Sequence, residues 1–202
     1  MSAVTLLFPE KCFAYLRITR VASTSIQNAL AAWVGLPPCN PWTRTWRAAV
    51  PIYKTEATRG YYRVAFVRDP RARLYGIWLK HWAHDPGHRH FWKRRRFGSF
   101  EQFAWAVVET TRDKELDEHL KPQTNFVLPG GVLAADFVGR FERLGDDWRR
   151  LQLMFGLPDL PHDNRIEHPP FQNVFSRELW VAVTQRYASD IRAFDYPERR
   201  RV

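Results

Sequence analysis

Two short stretches carry side chains that could hold an anion, and both stand where an apolar run passes into a helix. "LRITRVASTSIQNAL", Leu16 to Leu30, places Arg20 and the hydroxyls of Ser23, Thr24 and Ser25 at that junction. "FVRDPRARLYG", Phe66 to Gly76, repeats the arrangement: the run ends, Arg68 follows, and Asp69-Pro70 opens the next helix. A strand–loop–helix turn presents backbone N–H groups without intrahelical acceptors, together with the positive end of the helix dipole. Hydroxyls add donors and an arginine adds a fixed cation, which suits phosphate or a related oxyanion. Two such turns at the carboxyl ends of strands suit a ligand with two separated anionic groups. The plainer alternative is that one hydroxyl only caps a helix and that Arg73 forms a surface ion pair with Asp69, worth about 0–1 kcal/mol. The nucleotide-binding pattern G-x-x-x-x-G-K-[ST] is absent, since the first glycine is Gly35, which disfavours an ordinary ATP or GTP hydrolase.

The elements that must position these residues follow from periodicity. Residues 11–18 form an apolar strand, and from Ser25 the spacing of Ile26, Ala29, Leu30, Trp33 and Val34 predicts a helix ended by Gly35 and Pro37-Pro38. Residues 36–60 are a Pro- and Trp-rich connection. Tyr62 to Val67 is a strand covered on both faces. Asp69 caps the helix after it, with Pro70 at its first position and Leu74, Ile77, Trp78 and Trp82 inward. His84 to Gly98 is a basic loop, and Ser99 with Gln102 resembles a capping box opening a helix with Phe103, Ala104, Val107 and Val108 inward. Asp136 to Phe141 reads as a third strand, Asp146 to Phe155 as a helix stopped by Gly156, and 157–173 as a loop. A last helix starts near Ser176 and carries Leu179, Val183, Tyr187 and Ile191. Strands alternating with helices imply an α/β fold with parallel strands.

The 202 residues suit a single domain over 1–202, and the net charge of +10 calls for an anionic partner. Nucleic acid, a nucleotide, an acidic glycan and a membrane surface all satisfy that charge. Cys12 and Cys39 are the only cysteines, too few for a disulfide framework and wrongly spaced for zinc, so no metal is expected. Neither a signal peptide nor a membrane span is legible, which makes the cytoplasm the expected compartment. Oligomeric state has no signature in the sequence.

Together the two stretches resemble the PAPS-dependent sulfotransferases, in particular the carbohydrate group that includes heparan sulfate 2-O-sulfotransferase. "TRVASTS", Thr19 to Ser25, is similar to that family's Pro-Lys-x-[Ala/Gly]-[Ser/Thr]-Thr-Ser loop for the 5′-phosphosulfate. "FVRDPRARL", Phe66 to Leu74, is similar to its Phe-Val-Arg-Asp-Pro-x-x-Arg-Leu segment for the 3′-phosphate. "HLKPQTNFVL", His119 to Leu128, resembles its His-x-x-Pro-Gln stretch, and Val138 to Pro158 and Tyr187 to Tyr196 resemble its closing segments.

The resemblance implies a P-loop-NTPase-like, three-layer α/β fold with a central, mostly parallel sheet flanked by helices. It implies transfer of a sulfuryl group from PAPS to an acceptor hydroxyl, without a metal. Arg20, Ala22, Ser23, Thr24 and Ser25 would then hold the phosphosulfate, and Arg68, with Arg73 and the position of Gly76, the 3′-phosphate. Two departures stand out: Thr19-Arg20 replaces the family's Pro-Lys, and Gly76 replaces a serine that contacts the 3′-phosphate. A guanidinium stabilises charge on a departing phosphate oxygen but does not readily give up a proton.

Sulfuryl transfer also wants a base near the acceptor hydroxyl. In several relatives a His or Glu between the first helix and the second strand serves; here the only acid in that interval is Glu56, which makes it the first candidate, followed by His119 and His81. Arg89 to Arg96, with Phe91, Trp92 and Phe97 interleaved, suits an anionic or saccharide acceptor and equally single-stranded nucleic acid. Asn164 and Arg165, in a Pro/His-rich loop, are further candidate nucleotide contacts. The alternatives to a sulfotransferase are a relative that binds PAP or PAPS without turnover, and a nucleic-acid-binding protein using residues 89–97.

Overall fold

A computed structural model of the chain describes residues 4–37, 49–51, 55–80, 97–161 and 170–199. These form two compact units, one of Met1–Val67 with Phe126–Ile166 and one of Arg68–Asn125 with Glu167–Val202.

The first unit is built on a five-stranded sheet: β1 (Val4–Phe8), β2 (Phe13–Arg17), β3 (Ala49–Pro51), β4 (Tyr62–Val67) and β5 (Phe137–Arg140), in the order β3-β1-β2-β4-β5. β2, β4 and β5 pair in parallel, with Tyr15 opposite Val64 and Val64 opposite Phe137. These are the three strands that the apolar runs predict. β1 and β3 extend the sheet antiparallel, and neither is foreseen. β1 is a five-residue run joined to β2 by one 3-10 turn, Pro9–Lys11, and β3 spans only three residues. A run as short as β3 acquires strand character from pairing rather than from intrinsic preference.

Side chains alternate across a strand, so Phe13, Tyr62 and Phe66 share one face. Helix α1 (Ser23–Trp33) and helix α5 (Leu144–Phe155) pack there. Trp33 lies 5.5 Å from the Phe13 ring, Phe155 lies 5.3 Å from Phe13 and 5.0 Å from Tyr62, and Trp148 meets Phe66 at 6.3 Å. Gly139 of β5 is required by this packing: a Cβ there would fall 2.3 Å from Cε1 of Phe66. Gly156 stops α5 in the left-handed region, at φ 66°, as its place in the sequence predicts.

The second unit is helical: α2 (Pro70–Trp78), α3 (Phe100–Glu109), α6 (Arg177–Arg186) and α7 (Ala188–Ala193), while the short α4 (Thr124–Val127) starts in this unit and ends in the first. Asp69, Ser99 and Ser176 cap α2, α3 and α6 through side-chain oxygens that accept from Arg71, Gln102 and Leu179 amides. Gln102 reaches back to the Gly98 amide at 2.8 Å, one residue before the capping-box position. Leu74, Ile77, Phe103, Val107, Leu179 and Val183 form the core. The last predicted helix is two, broken at Tyr187. Among the described residues no helix is long and apolar enough to cross a membrane.

Candidate functional site

The first turn lies wholly in the sheet-bearing unit. β2 ends at Arg17, Ile18 and Val21 are buried, and the backbone enters the left-handed region on either side of Val21, at Arg20 (φ 67°) and again at Ala22 (φ 59°). A left-handed non-glycine residue costs about 1–2 kcal/mol, and such strain collects where a loop shapes a ligand clamp. α1 then starts at Ser23, two residues earlier than predicted. The expectation that a hydroxyl caps it is corrected: the N-cap is Ala22, which has no side-chain oxygen, and no side chain caps the helix. Ile26 donates to Ala22 O at 3.0 Å as the first intrahelical bond, so the Ser23, Thr24 and Ser25 amides precede the ladder. Ser23 and Ser25 are buried, while Thr24 and Arg20 are half-buried. Backbone amides, three hydroxyls and a guanidinium within six residues form a donor set for a tetrahedral oxyanion.

The second turn lies wholly in the helical unit and is built from side chains. Arg68, half-buried, follows β4. Gln123 grips its backbone from both sides, with Oε1 accepting from Arg68 N at 2.9 Å and Nε2 donating to Arg68 O at 2.7 Å. The buried Asp190 carboxylate in turn accepts from Gln123 N at 2.8 Å, Gln123 Nε2 at 3.1 Å and Thr124 N at 2.8 Å. Tyr187 Oη donates to Leu120 O at 2.6 Å, and Arg73 Nη1 donates to Lys121 O at 3.0 Å. Burial pushes the Arg73 pKa down, against the pull of Tyr187 and Asp190. Burial likewise pushes the Asp190 carboxyl up, against the hydrogen bonds from Gln123 and Thr124.

Asp69 pairs with Arg71, a partner the sequence did not indicate: Nε to Oδ1 at 2.9 Å and Nη2 to Oδ2 at 2.6 Å. Arg71 is fully buried, its guanidinium 4.1 Å from the centre of the Trp180 ring. Arg73 is 1% exposed and Gly76 is buried within α2.

Of the base candidates, His119 is held by a neighbour. Its Nδ1 lies 2.7 Å from Asp117 Oδ1, and its amide donates to the same oxygen at 2.9 Å. An ionised carboxylate can only accept, so Nδ1 carries the proton and Nε2 is the basic nitrogen. Burial pushes the His119 pKa down, outweighing the Asp117 carboxylate, which acts to raise it. Burial acts to raise the Asp117 pKa, but the His119 ring and amide together hold it below its ordinary value. Glu56 is exposed, on the single 3-10 turn Thr55–Thr58.

His81, Arg89 to Arg96, Asn164 and Arg165 lie outside the described residues. Phe97 packs on Phe103 at 5.5 Å. Among the described residues no group of three or more His, Cys, Asp or Glu could hold a metal. Asp117 has no signal in the sequence, whereas Gln123 stands in the Pro-Gln pair after His119 and Asp190 within the Tyr187–Tyr196 segment.

No curated protein and no solved structure matches the chain. A family model, that of the Sulfotransferase family, matches residues 5–197 and so takes in both turns, all five strands and the His119 segment. The chain belongs to the Sulfotransferase family, whose members are sulfuryl-transferring enzymes.

Proposed function

We propose that the protein transfers the sulfuryl group of PAPS to the hydroxyl of a saccharide. The observation that carries the reading is the uncapped amino end of α1, where the Ser23, Thr24 and Ser25 amides and hydroxyls follow close behind Arg20 in the chain. PAPS fits the chemistry of the donors: a phosphosulfate for that turn and a 3′-phosphate for Arg68. Bound PAPS supplies an electrophilic sulfur whose leaving group is the 5′-phosphate of PAP. Arg20 then meets the negative charge that grows on the departing oxygen, and its high pKa makes it an electrostatic rather than a proton-donating partner. The Ser23–Ser25 amides orient the anion along the axis of α1.

The base is His119, with Nε2 taking the acceptor proton while Asp117 fixes the tautomer and steadies the imidazolium. Glu56 is the second candidate, favoured by its place in the chain alone. Arg73 supports the Lys121 backbone, and Gly76 contributes no donor side chain, so Arg68 is the principal grip on the 3′-phosphate. The aromatic–basic segment 89–97 supports a saccharide as the acceptor, and the cytoplasm is the compartment we assign.

Thermal unfolding with PAP, AMP and ATP tests the donor without knowledge of the acceptor. PAP at a hundred times its Kd should stabilise by about 2.7 kcal/mol, with a much smaller shift from AMP at the same concentration. Transfer of labelled sulfate from PAPS to a saccharide panel tests the reaction. Equal responses to PAP and AMP would remove the donor assignment.

A further inference from the structure

Arg68 is the residue on which the preference for a 3′-phosphate depends, yet the groups that fix its backbone come from far along the chain. Gln123 is 55 residues away and spans the Arg68 peptide units with both ends of its amide. A carboxamide has one acceptor and one donor end, so it fits one N–H and one C=O only in a single orientation. That orientation is fixed because Nε2 also faces Asp190 Oδ2 at 3.1 Å, and a carboxylate oxygen rejects the opposite flip. Asp190 has no freedom of its own: it is 0% exposed, sits in the first turn of α7, and is engaged by the Gln123 and Thr124 amides. The same stretch is tied at Leu120 by Tyr187 and at Lys121 by Arg73. Leu120, Lys121, Gln123 and Thr124 are thus all anchored, and the one amide side chain that projects from this frame ends on Arg68.

We propose that Gln123, oriented by Asp190, is a positioning residue that presets the Arg68 backbone for the 3′-phosphate, and so sets the selectivity of the protein for PAP over AMP. The inference deepens the donor reading above and rests on it. Preset donors bind more tightly because ordering is already complete before the ligand arrives. Replacing Gln123 by methionine conserves volume but removes every hydrogen bond to Arg68 and Asp190 from this side chain. A residue important only for stability would lower the melting temperature, or weaken PAP and AMP alike. A strut for Arg68 changes their ratio.

The test is equilibrium binding of PAP and AMP to wild-type protein, Gln123→Met, Arg68→Ala and the double variant. In Gln123→Met the ratio of AMP to PAP dissociation constants should fall about tenfold or more, the loss of one good charged hydrogen bond, with AMP affinity within about twofold of wild type. The double variant should be no less selective than Arg68→Ala alone, because the two residues act through one contact. An unchanged ratio in Gln123→Met would overturn the strut while leaving the donor reading intact. A wild-type protein with no preference for PAP would overturn both.

Hydrogen exchange at the Arg68 amide provides a second readout that requires no substitution, should the variant not fold. The amide should be protected in ligand-free protein and little changed by PAP. Free exchange that slows only with PAP would mean that Arg68 is ordered by the ligand, and would overturn the strut alone.

Discussion

The two cationic turns reach similar ends by opposite means. At the first, the backbone does the shaping: Arg20 and Ala22 bend the chain through the left-handed region, and the helix is left without a cap. All of its groups lie within seven residues, Thr19 to Ser25. At the second, the helix is capped by Asp69 and closed to an anion at that point, while Arg68 is held by the side chain of Gln123, itself fixed by Asp190. The turn at Arg68 is buried on one side, and there each polar group must find a partner or cost about 1–3 kcal/mol. One design stores its order in dihedral angles, the other in hydrogen bonds across the chain.

That contrast breaks most visibly in stability. Arg71→Ala should remove about 3–5 kcal/mol, because it strands the buried Asp69 carboxylate and empties the space over Trp180. Urea denaturation measures it, and a loss below 1 kcal/mol would mean that the second turn does not depend on buried pairing.

Ligand binding sharpens it next. Arg68→Ala should cost PAP about 10–100-fold in affinity and AMP almost nothing, whereas Arg20→Ala should weaken both to a similar degree, the size expected for a charged hydrogen bond. Calorimetric titration of both nucleotides into both variants separates the two ends. Loss of PAP selectivity in Arg20→Ala would reverse the assignment.

A smaller effect probes the strain itself. Ala22→Gly should raise stability by up to about 1 kcal/mol, since glycine removes a left-handed penalty of about 1–2 kcal/mol at a backbone-entropy cost of about 0.5–1 kcal/mol. A melting temperature that falls would show that the surrounding packing, not the dihedral, governs the loop.

The smallest effect is titration. Burial holds the His119 pKa in the folded protein below its ordinary 6.5, so the unfolded chain binds this proton more readily. Stability is therefore full above about pH 6.5 and declines as the pH falls through that value. Asp117, whose folded pKa lies below 3.8, contributes stability above that value and loses it only in stronger acid. His119→Gln should flatten the decline between pH 7 and 5 in thermal melts; an unchanged slope would place the titrating group elsewhere.

The parallel strands β2, β4 and β5 and both turns were legible because apolar runs and helix-opening residues are local signals. β1 and β3 were not; β3, at three residues, becomes a strand only by pairing. Glu56 leads on chain order alone and is exposed in the structure, whereas His119 has its tautomer set by Asp117 two residues away. An Asp-x-His spacing occurs too often by chance to be read without coordinates. The Arg71 pairing shows the same limit: Arg71 and Arg73 both lie within reach of Asp69 in sequence, and only the direction of its side chain brings Arg71 onto that carboxylate.

By itself the sequence determined the class of fold, the family, and the two cationic turns offered as anion sites. These depend on periodicity, on caps and on a short motif, all of which act over a few neighbouring residues. Only the tertiary structure decided that α1 begins uncapped behind a strained Ala22, and that Arg68 is gripped by Gln123, which Asp190 orients. A buried hydrogen bond between distant residues is selected by the geometry of the packed core, and no single stretch of the chain carries that geometry.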